Sequence, residues 1–328
     1  MIISIAGVGY AGAGAYFDLL CEYNDIAHTP NLFELGILYE PDGIIDLINK
    51  LKYNNNKFSS YVPISRFLKL AKFYNDHPWF KPYTGDFLYE ESLRFVDALQ
   101  PLYLSGYHIH EMANPTRVEK WKSFLNDYFS AINNRLGTHF HLNVDRNLII
   151  CLETENLDSL AKDYMCTIID NIIKVKSDKI MIKHLCPPDI PHICFPYLPD
   201  NARHITVNRD PRDLYVLGKI NNTRDFPIST VENFTRYYRT YMERQVCSDG
   251  IMYARFEDLC YEYESTKAKV KEFLNETTIP ASRTHFIPEK SIKNTQIYKI
   301  HQEFAHDIKY IEDNLSDYLY PFEKYTNI

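Results

Sequence analysis

The sequence predicts an α/β fold, a mainly parallel β-sheet in three layers with helices on both faces. Three observations carry that expectation. First, the apolar run Ile2–Ala6 leads through a glycine-rich turn (Gly7, Gly9, Gly12, Gly14) into a helical pattern at Tyr16, Leu19, Leu20 and Tyr23, a strand–loop–helix opening. Second, short apolar runs alternate with helical patterns after residue 145, which is how parallel strands joined by crossover helices read. Third, residues 42–145 are mainly helical in pattern and rich in Tyr, Asn and Lys, so they read as a helical insertion into one domain spanning 1–328.

Taken in order, a second strand is expected at 35–39. Further strands are expected at 147–152, 179–183, 203–208 and 250–255. Helices are expected at 157–174, 211–221, 230–246 and 264–274, and a closing helix at 298–315. In such sheets ligands sit at the carboxyl ends of the strands, so residues just after each strand carry the functional argument.

Composition narrows the function. With 45% hydrophobic residues the chain can bury a sizeable core. Its 36 basic and 43 acidic side chains give a net charge of −7, which disfavours a nucleic-acid binder. An anionic ligand must then be held by a local pocket and not by the global field. The seven cysteines include no Cys-x-x-Cys pair, which argues against a disulfide framework and for a reducing compartment. The sequence opens without a basic signal-peptide region and has no run of 18 apolar residues, so a cytoplasmic protein without a membrane-spanning segment is expected.

Five segments follow strands or close the domain. The loop Gly7-Val8-Gly9-Tyr10-Ala11-Gly12-Ala13-Gly14 can turn tightly and aim its amides at an anion ahead of the following helix; the bland alternative is a ligand-free packing turn. It is not a Walker A loop, because no Lys-Ser/Thr follows the last glycine. Lys183-His184-Leu185-Cys186-Pro187-Pro188 places a cation and a group able to take a proton at one strand end, although a lone histidine is more often structural. Arg209-Asp210-Pro211-Arg212-Asp213 lies where a strand meets a helix; a guanidinium fork there suits a phosphate, or else pairs with its neighbouring aspartates. Phe256-Glu257-Asp258-Leu259 and the polar loop Pro288-Glu289-Lys290-Ser291-Ile292-Lys293-Asn294-Thr295 are weak signals alone.

In this order the segments resemble the sulfotransferase family, which uses 3′-phosphoadenosine 5′-phosphosulfate (PAPS) as donor. The resemblance spans 1–25 and 180–315; its specific part is Arg209-Asp210-Pro211-Arg212-Asp213 preceded by Lys183-His184-Leu185. It implies a P-loop-like nucleotide-binding fold and sulfuryl transfer to an acceptor hydroxyl or amine, a saccharide among the candidates, with adenosine 3′,5′-bisphosphate (PAP) as product and no metal. By the same resemblance His184 is the general base and Lys183 stabilises charge. Gly9, Tyr10, Ala11, Gly12, Ala13 and Gly14 hold the 5′ end of the donor. Arg209 binds the 3′-phosphate, with Arg212, Lys290, Ser291, Lys293 and Asn294 in support. The insertion at 42–145, between Trp79 and Trp121 above all, is then expected to bind the acceptor. Two departures stand out. The family's loop cation and hydroxyls are replaced by Tyr10-Ala11-Gly12-Ala13-Gly14, and its serine eight residues after the phosphate-binding arginine falls on Leu217.

Other readings remain open at this level. Gly7-x-Gly9-x-x-Gly12 is also the dinucleotide fingerprint, making an NAD(P)-dependent oxidoreductase an alternative with Glu40 as the ribose-binding acid. The missing loop cation suits a non-catalytic nucleotide-binding protein. His108-x-His110-Glu111 and His139-x-His141 have strand-type metal spacing, but pairs like these arise by chance among twelve histidines. The aromatics Trp79, Tyr83, Phe87, Tyr89, Tyr103, Tyr107 and Trp121 could stack on a sugar, with core packing the commoner role.

Overall fold

The computed structural model describes residues 1–30, 33–152, 155–173, 177–278 and 285–325. Seven strands are present among them: β1 (Ile2–Ala6), β2 (Ile26–His28), β3 (Leu102–Gly106), β4 (Arg146–Ile150), β5 (Lys179–Lys183), β6 (Arg203–Asn208) and β7 (Ile251–Arg255). Five of these form one wholly parallel sheet in the order β2-β5-β1-β6-β7. All five therefore end at the same edge.

Helices follow the expected alternation. α1 (Ala13–Leu20) follows β1. The insertion holds α2 (Ile44–Tyr53), α3 (Lys57–Asp76), α4 (Lys81–Thr84), α5 (Phe87–Ala98), α6 (Ile109–Ala113) and α7 (Arg117–Leu136). Then come α8 (Leu157–Ile172), α9 (Pro211–Asn221), α10 (Val231–Glu243), α11 (Phe256–Tyr261), α12 (Tyr263–Phe273), α13 (Pro288–Ser291) and α14 (Ala305–Asn314).

The three layers follow from strand geometry. Successive side chains point to opposite faces, so a strand apolar at every position must be covered on both. In β1, Ile2 joins the core formed with α2, α3, α5 and α8, whereas Ile3 and Ile5 join the core formed with α1, α11 and α12. β5 divides likewise: Ile180 and Ile182 face the first core and Met181 the second. A third apolar cluster, including Leu214, Phe234, Tyr238 and Ile311, ties α9, α10 and α14 together beside the sheet.

Several elements differ from expectation. The apolar run at 35–39 is not a strand. Its backbone turns on itself through Tyr39 N–H to Gly36 O (3.0 Å) and Gly43 N–H to Glu40 O (2.8 Å), with Leu35, Ile37 and Leu38 plugged into the first core. The second strand is instead the three-residue β2. The strand expected at 147–152 exists as β4, but it pairs antiparallel with β3 in a separate two-stranded sheet, Leu102 opposite Ile150 and Gly106 opposite Arg146. The closing helix begins only at Ala305, because Gln296 adopts a left-handed φ of 56° and the chain advances in short 3₁₀ turns up to that point. The helix expected at 157–174 ends at Ile172, and residue 174 lies outside the described residues.

Candidate active site

The glycine loop connects β1 to α1 at the carboxyl edge of the sheet. Gly7 is required by close packing: a Cβ there would lie 2.7 Å from the carbonyl oxygen of Val207 on β6. Gly12 is required by conformation, with φ at 95° and the Phe256 ring 2.6 Å from where its Cβ would be. As the residue preceding α1, Gly12 brings no side-chain cap. The amides of Ala13 and Gly14 therefore meet no side-chain cap, which suits an anion, while Ala15 N–H already donates to Gly12 O at 3.0 Å. Ala11 N–H bonds back to Val8 O at 2.9 Å and fixes the turn.

Arg209, one residue past β6, is 95% buried against this loop. It donates from one terminal nitrogen to Tyr10 O at 2.9 Å and from the other to Asn294 O, and its guanidinium lies 4.8 Å from the Phe256 ring centre. Its Nε is buried and without a partner among the described residues. A charged donor in that condition costs stability unless an acceptor arrives. The late loop is fastened over it by Asp213, which accepts from the amides of Gln296 (2.7 Å) and Tyr298 (3.1 Å). Burial holds the Asp213 carboxyl up at about 6.

At the end of β5, Lys183 and His184 complete the cluster. His184 N–H donates to Ile5 O at 2.9 Å, and its backbone is left-handed at φ 49°. A non-glycine residue at such a φ is held there by its surroundings, and such positions concentrate at functional sites; Tyr10, across the groove, shares the feature at 66°. Burial lowers the His184 pKa; Glu34 opposes that shift and Lys183 adds to it, so the ring is neutral near pH 7. Glu34 Oε1 lies 3.4 Å from Lys183 Nζ and 3.7 Å from His184 Nε2. Sequence reasoning missed Glu34. It reaches the site through an isolated parallel bridge with Lys183, which has no local sequence signal.

One groove of about 590 Å³ is lined by Gly9, Tyr10, Ala11, Gly12, Ala13, Gly14, Lys183, His184, Arg209, Ser291 and Asn294, together with Phe256 and the unanticipated Glu34, Asp18 and His285. The structure thus brings together most of the expected site residues. Three are elsewhere. Lys290 and Lys293 are exposed and do not line the groove. The Arg212 guanidinium is buried between Asp210 (2.8 Å) and Glu312 (3.0 Å), over the Tyr298 ring at 4.3 Å, so it braces the loop from behind.

A second cavity of about 960 Å³ shares Gly7, Val8, Gly9, Glu34 and His184 with the groove. Its other wall is one face of α10 and the turn after it (Asn233, Arg236, Tyr237, Thr240, Tyr241, Arg244), facing Tyr39, Pro187, Pro188, Asp189 and Asp225. Arg244 pairs with Asp189 at 3.1 Å, whereas Arg236 donates to the neutral Asn233 amide oxygen at 3.2 Å and meets no carboxylate among the described residues. Among the described residues of 42–145, none lines either cavity. Tyr83, Phe87 and Tyr89 pack on the core; Trp79, Tyr103 and Trp121 are exposed, and Tyr107 is half-buried.

Among the described residues no group of three or more His, Cys, Asp or Glu side chains is arranged to hold a metal ion, and no helix is long and apolar enough to cross a membrane. His108 sits in the cap of α6, and His139 and His141 are exposed outside helices and strands. No family model matches the chain, and no curated protein matches it.

Proposed function

We propose that this protein is a PAPS-dependent sulfotransferase with a P-loop-like nucleotide site, moving a sulfuryl group to a hydroxyl or amine of an acceptor. The observation that carries the reading is Arg209. Its side chain lines a groove together with the start of α1, its buried Nε has no partner among the described residues, and His184 lines both that groove and a second cavity. Two anion sites on one side and an acceptor chamber on the other, with a neutral histidine between them, is what direct transfer requires.

In this reading the amides at the start of α1 hold the 5′-phosphosulfate and Arg209 holds the 3′-phosphate. The acceptor enters from the α10 cavity. Its proton passes to an unprotonated ring nitrogen of His184 while the acceptor lone pair forms the new bond to sulfur. The bond from sulfur to the donor's phosphate oxygen breaks, and its electron pair leaves on the 5′-phosphate of PAP. Glu34 then steadies the imidazolium beside it. Lys183 contributes positive charge at the reacting end, partly offset by Glu34.

Two features disfavour the dinucleotide alternative. In chain order the sheet reads 2-3-1-4-5, unlike the 3-2-1-4-5-6 order of dinucleotide-binding folds. Glu40, the residue needed for the ribose, accepts a hydrogen bond from Tyr74 Oη at 2.8 Å instead. One observation favours a second reading, a nucleotide-binding protein without turnover: the nearest cation to the reacting end, Lys183, is already paired with Glu34.

Thermal-shift titration with PAP, AMP, NAD and ADP tests the proposal, since a ligand that binds only the folded state raises its melting temperature. PAP is expected to raise it most. A shift with NAD and none with PAP would overturn the assignment. A PAP shift without transfer to any of a panel of saccharide and amine acceptors selects the non-catalytic reading.

A further inference from the structure

The insertion carries a feature unconnected to the groove. α7 is a 20-residue helix with full caps: Thr116 and Glu119 form a reciprocal box at its start, and Gly137, left-handed at φ 68°, closes its end. One side is covered by the returning chain. Asn126 exchanges hydrogen bonds with Leu142 (2.9 and 2.7 Å), Asn133 Nδ2 donates to Phe140 O at 2.7 Å, and the Phe129 and Phe140 rings meet at 4.9 Å. The adjoining stripe is apolar and bare: Val118 is 63% exposed, Trp121 68%, Phe124 64% and Tyr128 63%. An isolated helix of this length is marginal in water without a packed apolar face, so the stripe calls for a cover.

We infer that α7 is a dimerisation helix whose occupant is α7 of a second copy, packed antiparallel. The spacing of Val118, Trp121, Leu125, Tyr128 and Ile132 is 3-4-3-4, the seam by which one helix receives another. Antiparallel self-pairing about a point between Asn126 and Asp127 sets Leu125 of one copy against Tyr128 of the other, and Trp121 against Ile132. These layers each join a large ring to an aliphatic side chain, which interdigitates, with Val118 falling opposite Arg135 at the seam's end; parallel pairing would stack Trp121 on Trp121 and Tyr128 on Tyr128. The available area fits a modest dimer. Three aromatics about two-thirds exposed offer roughly 400 Å², taking 150–250 Å² for each whole side chain. With the aliphatic members the pair buries on the order of 1,200 Å², the lower end for a specific interface. A bilayer surface is the weaker occupant. α7 carries Arg117, Lys120, Lys122 and Arg135 against Glu119 and Asp127, a basic excess that a bilayer could also use, but the chain's net charge of −7 repels anionic lipid and the 3-4 spacing serves a facing helix.

Sedimentation velocity and light scattering on the full chain, across about 1–100 μM, test the inference. A species of twice 38.6 kDa is expected at the upper end. The double substitution Leu125→Asp and Tyr128→Asp should weaken association by more than about tenfold, with the circular dichroism spectrum and the PAP thermal shift unchanged. For the register, Cys247, the exposed cysteine, is first replaced by serine. Mixed Leu125→Cys and Tyr128→Cys chains should then cross-link under copper-phenanthroline faster than either alone. Three results would overturn the inference: a monomer at every concentration; a dimer that survives the double substitution; or a monomer whose Trp121 fluorescence shifts to the blue with phosphatidylserine vesicles, which would assign the stripe to a membrane surface. None of these outcomes bears on the donor site, so the two proposals stand or fall separately.

Discussion

The carboxyl edge of the parallel sheet and the insertion at 42–145 were both candidates for ligand binding, and they are built on different terms. At the sheet edge, polar groups are buried and left under-satisfied: Arg209 Nε and Glu257 Oε2 lack partners among the described residues, and Tyr10 and His184 hold left-handed backbones. The insertion differs in its large exposed apolar side chains, Trp121, Phe124 and Tyr128 among them, although it too holds buried polar atoms without a partner among the described residues, at Asn55 and Ser60. A buried cationic donor without a partner, as at Arg209, suits an anionic ligand, and a bare apolar surface suits a macromolecular partner. On the readings proposed above, chemistry is at the sheet edge and the α7 stripe is an association surface.

The largest effect that could break this division is at His184. If it is the base, His184→Gln lowers kcat by about 10²–10⁴-fold while leaving the PAP thermal shift and the melting temperature within error of wild type. Because burial lowers its pKa, the acidic limb of kcat/KM should fall below the ordinary histidine value of 6.5 and should vanish in the variant. An acidic limb that persists unchanged in the variant would assign the base elsewhere.

Next in size is Arg209. Arg209→Lys keeps a positive charge and removes the planar fork, including the Nε that has no partner. Discrimination between PAP and AMP should fall by about one to two decades, the worth of a charge-assisted phosphate contact of roughly 1.5–3 kcal/mol. Calorimetric titration of both nucleotides checks this. Equal losses for PAP and AMP would show that Arg209 does not read the 3′-phosphate.

Parts of this division were legible in the sequence, for identifiable reasons. β1, β5, β6 and α9 match their expected bounds because strand-length apolar runs were bounded by glycine, proline or charge, and Pro211 opens α9 where its missing N–H costs nothing. The run at 35–39 misled because an apolar pentapeptide packs equally well as a plug; Gly36 and Gly43 were the local hints of a turn. β4 was read correctly as extended, but its partner β3 lies over 40 residues earlier, and pairing has no local signal. The α10 wall of the second cavity was missed although its signal was present. Residues 233, 236, 237, 240, 241 and 244 recur at helical spacing beside the buried stripe of Val231, Phe234, Thr235 and Tyr238, so α10 reads as a helix with two occupied sides. Glu34 could not have been found this way, since only folding brings it beside Lys183.

A third test compares the two regions directly. Arg236 lines the α10 cavity without a carboxylate partner among the described residues, whereas Trp79 is exposed on the insertion and lines neither cavity. Arg236→Ala should raise acceptor KM by about two- to tenfold, a single polar contact's worth of roughly 0.5–1.5 kcal/mol, with donor affinity unchanged. Trp79→Ala should alter neither. Steady-state kinetics with both substrates varied would reverse the assignment if Trp79→Ala raised acceptor KM and Arg236→Ala did not.

The smallest effect expected is on stability, and it sharpens the claim that the sheet edge is built under strain. Glu257 is fully buried, accepts the Asp210 amide at 2.8 Å through Oε1, and has no partner for Oε2 among the described residues. Burial raises its pKa from 4.5 to about 7, with the Asp210 charge adding to the rise. A carboxyl raised on folding favours the folded state when protonated. Its contribution is full below about pH 4.5 and is lost as pH climbs through about 7. Asp213, raised by burial to about 6, adds to the same slope. Glu257→Gln keeps the acceptor for the Asp210 amide and removes the titration. It should leave the melting temperature nearly unchanged at pH 5 and raise it at pH 8.5, by on the order of 1 kcal/mol of stability. Differential scanning calorimetry at the two pH values decides the matter. A variant less stable than wild type at pH 8.5 would mean that the ionised carboxylate is held by Arg209 across the site, and that the charge on Arg209 is already neutralised before any ligand arrives.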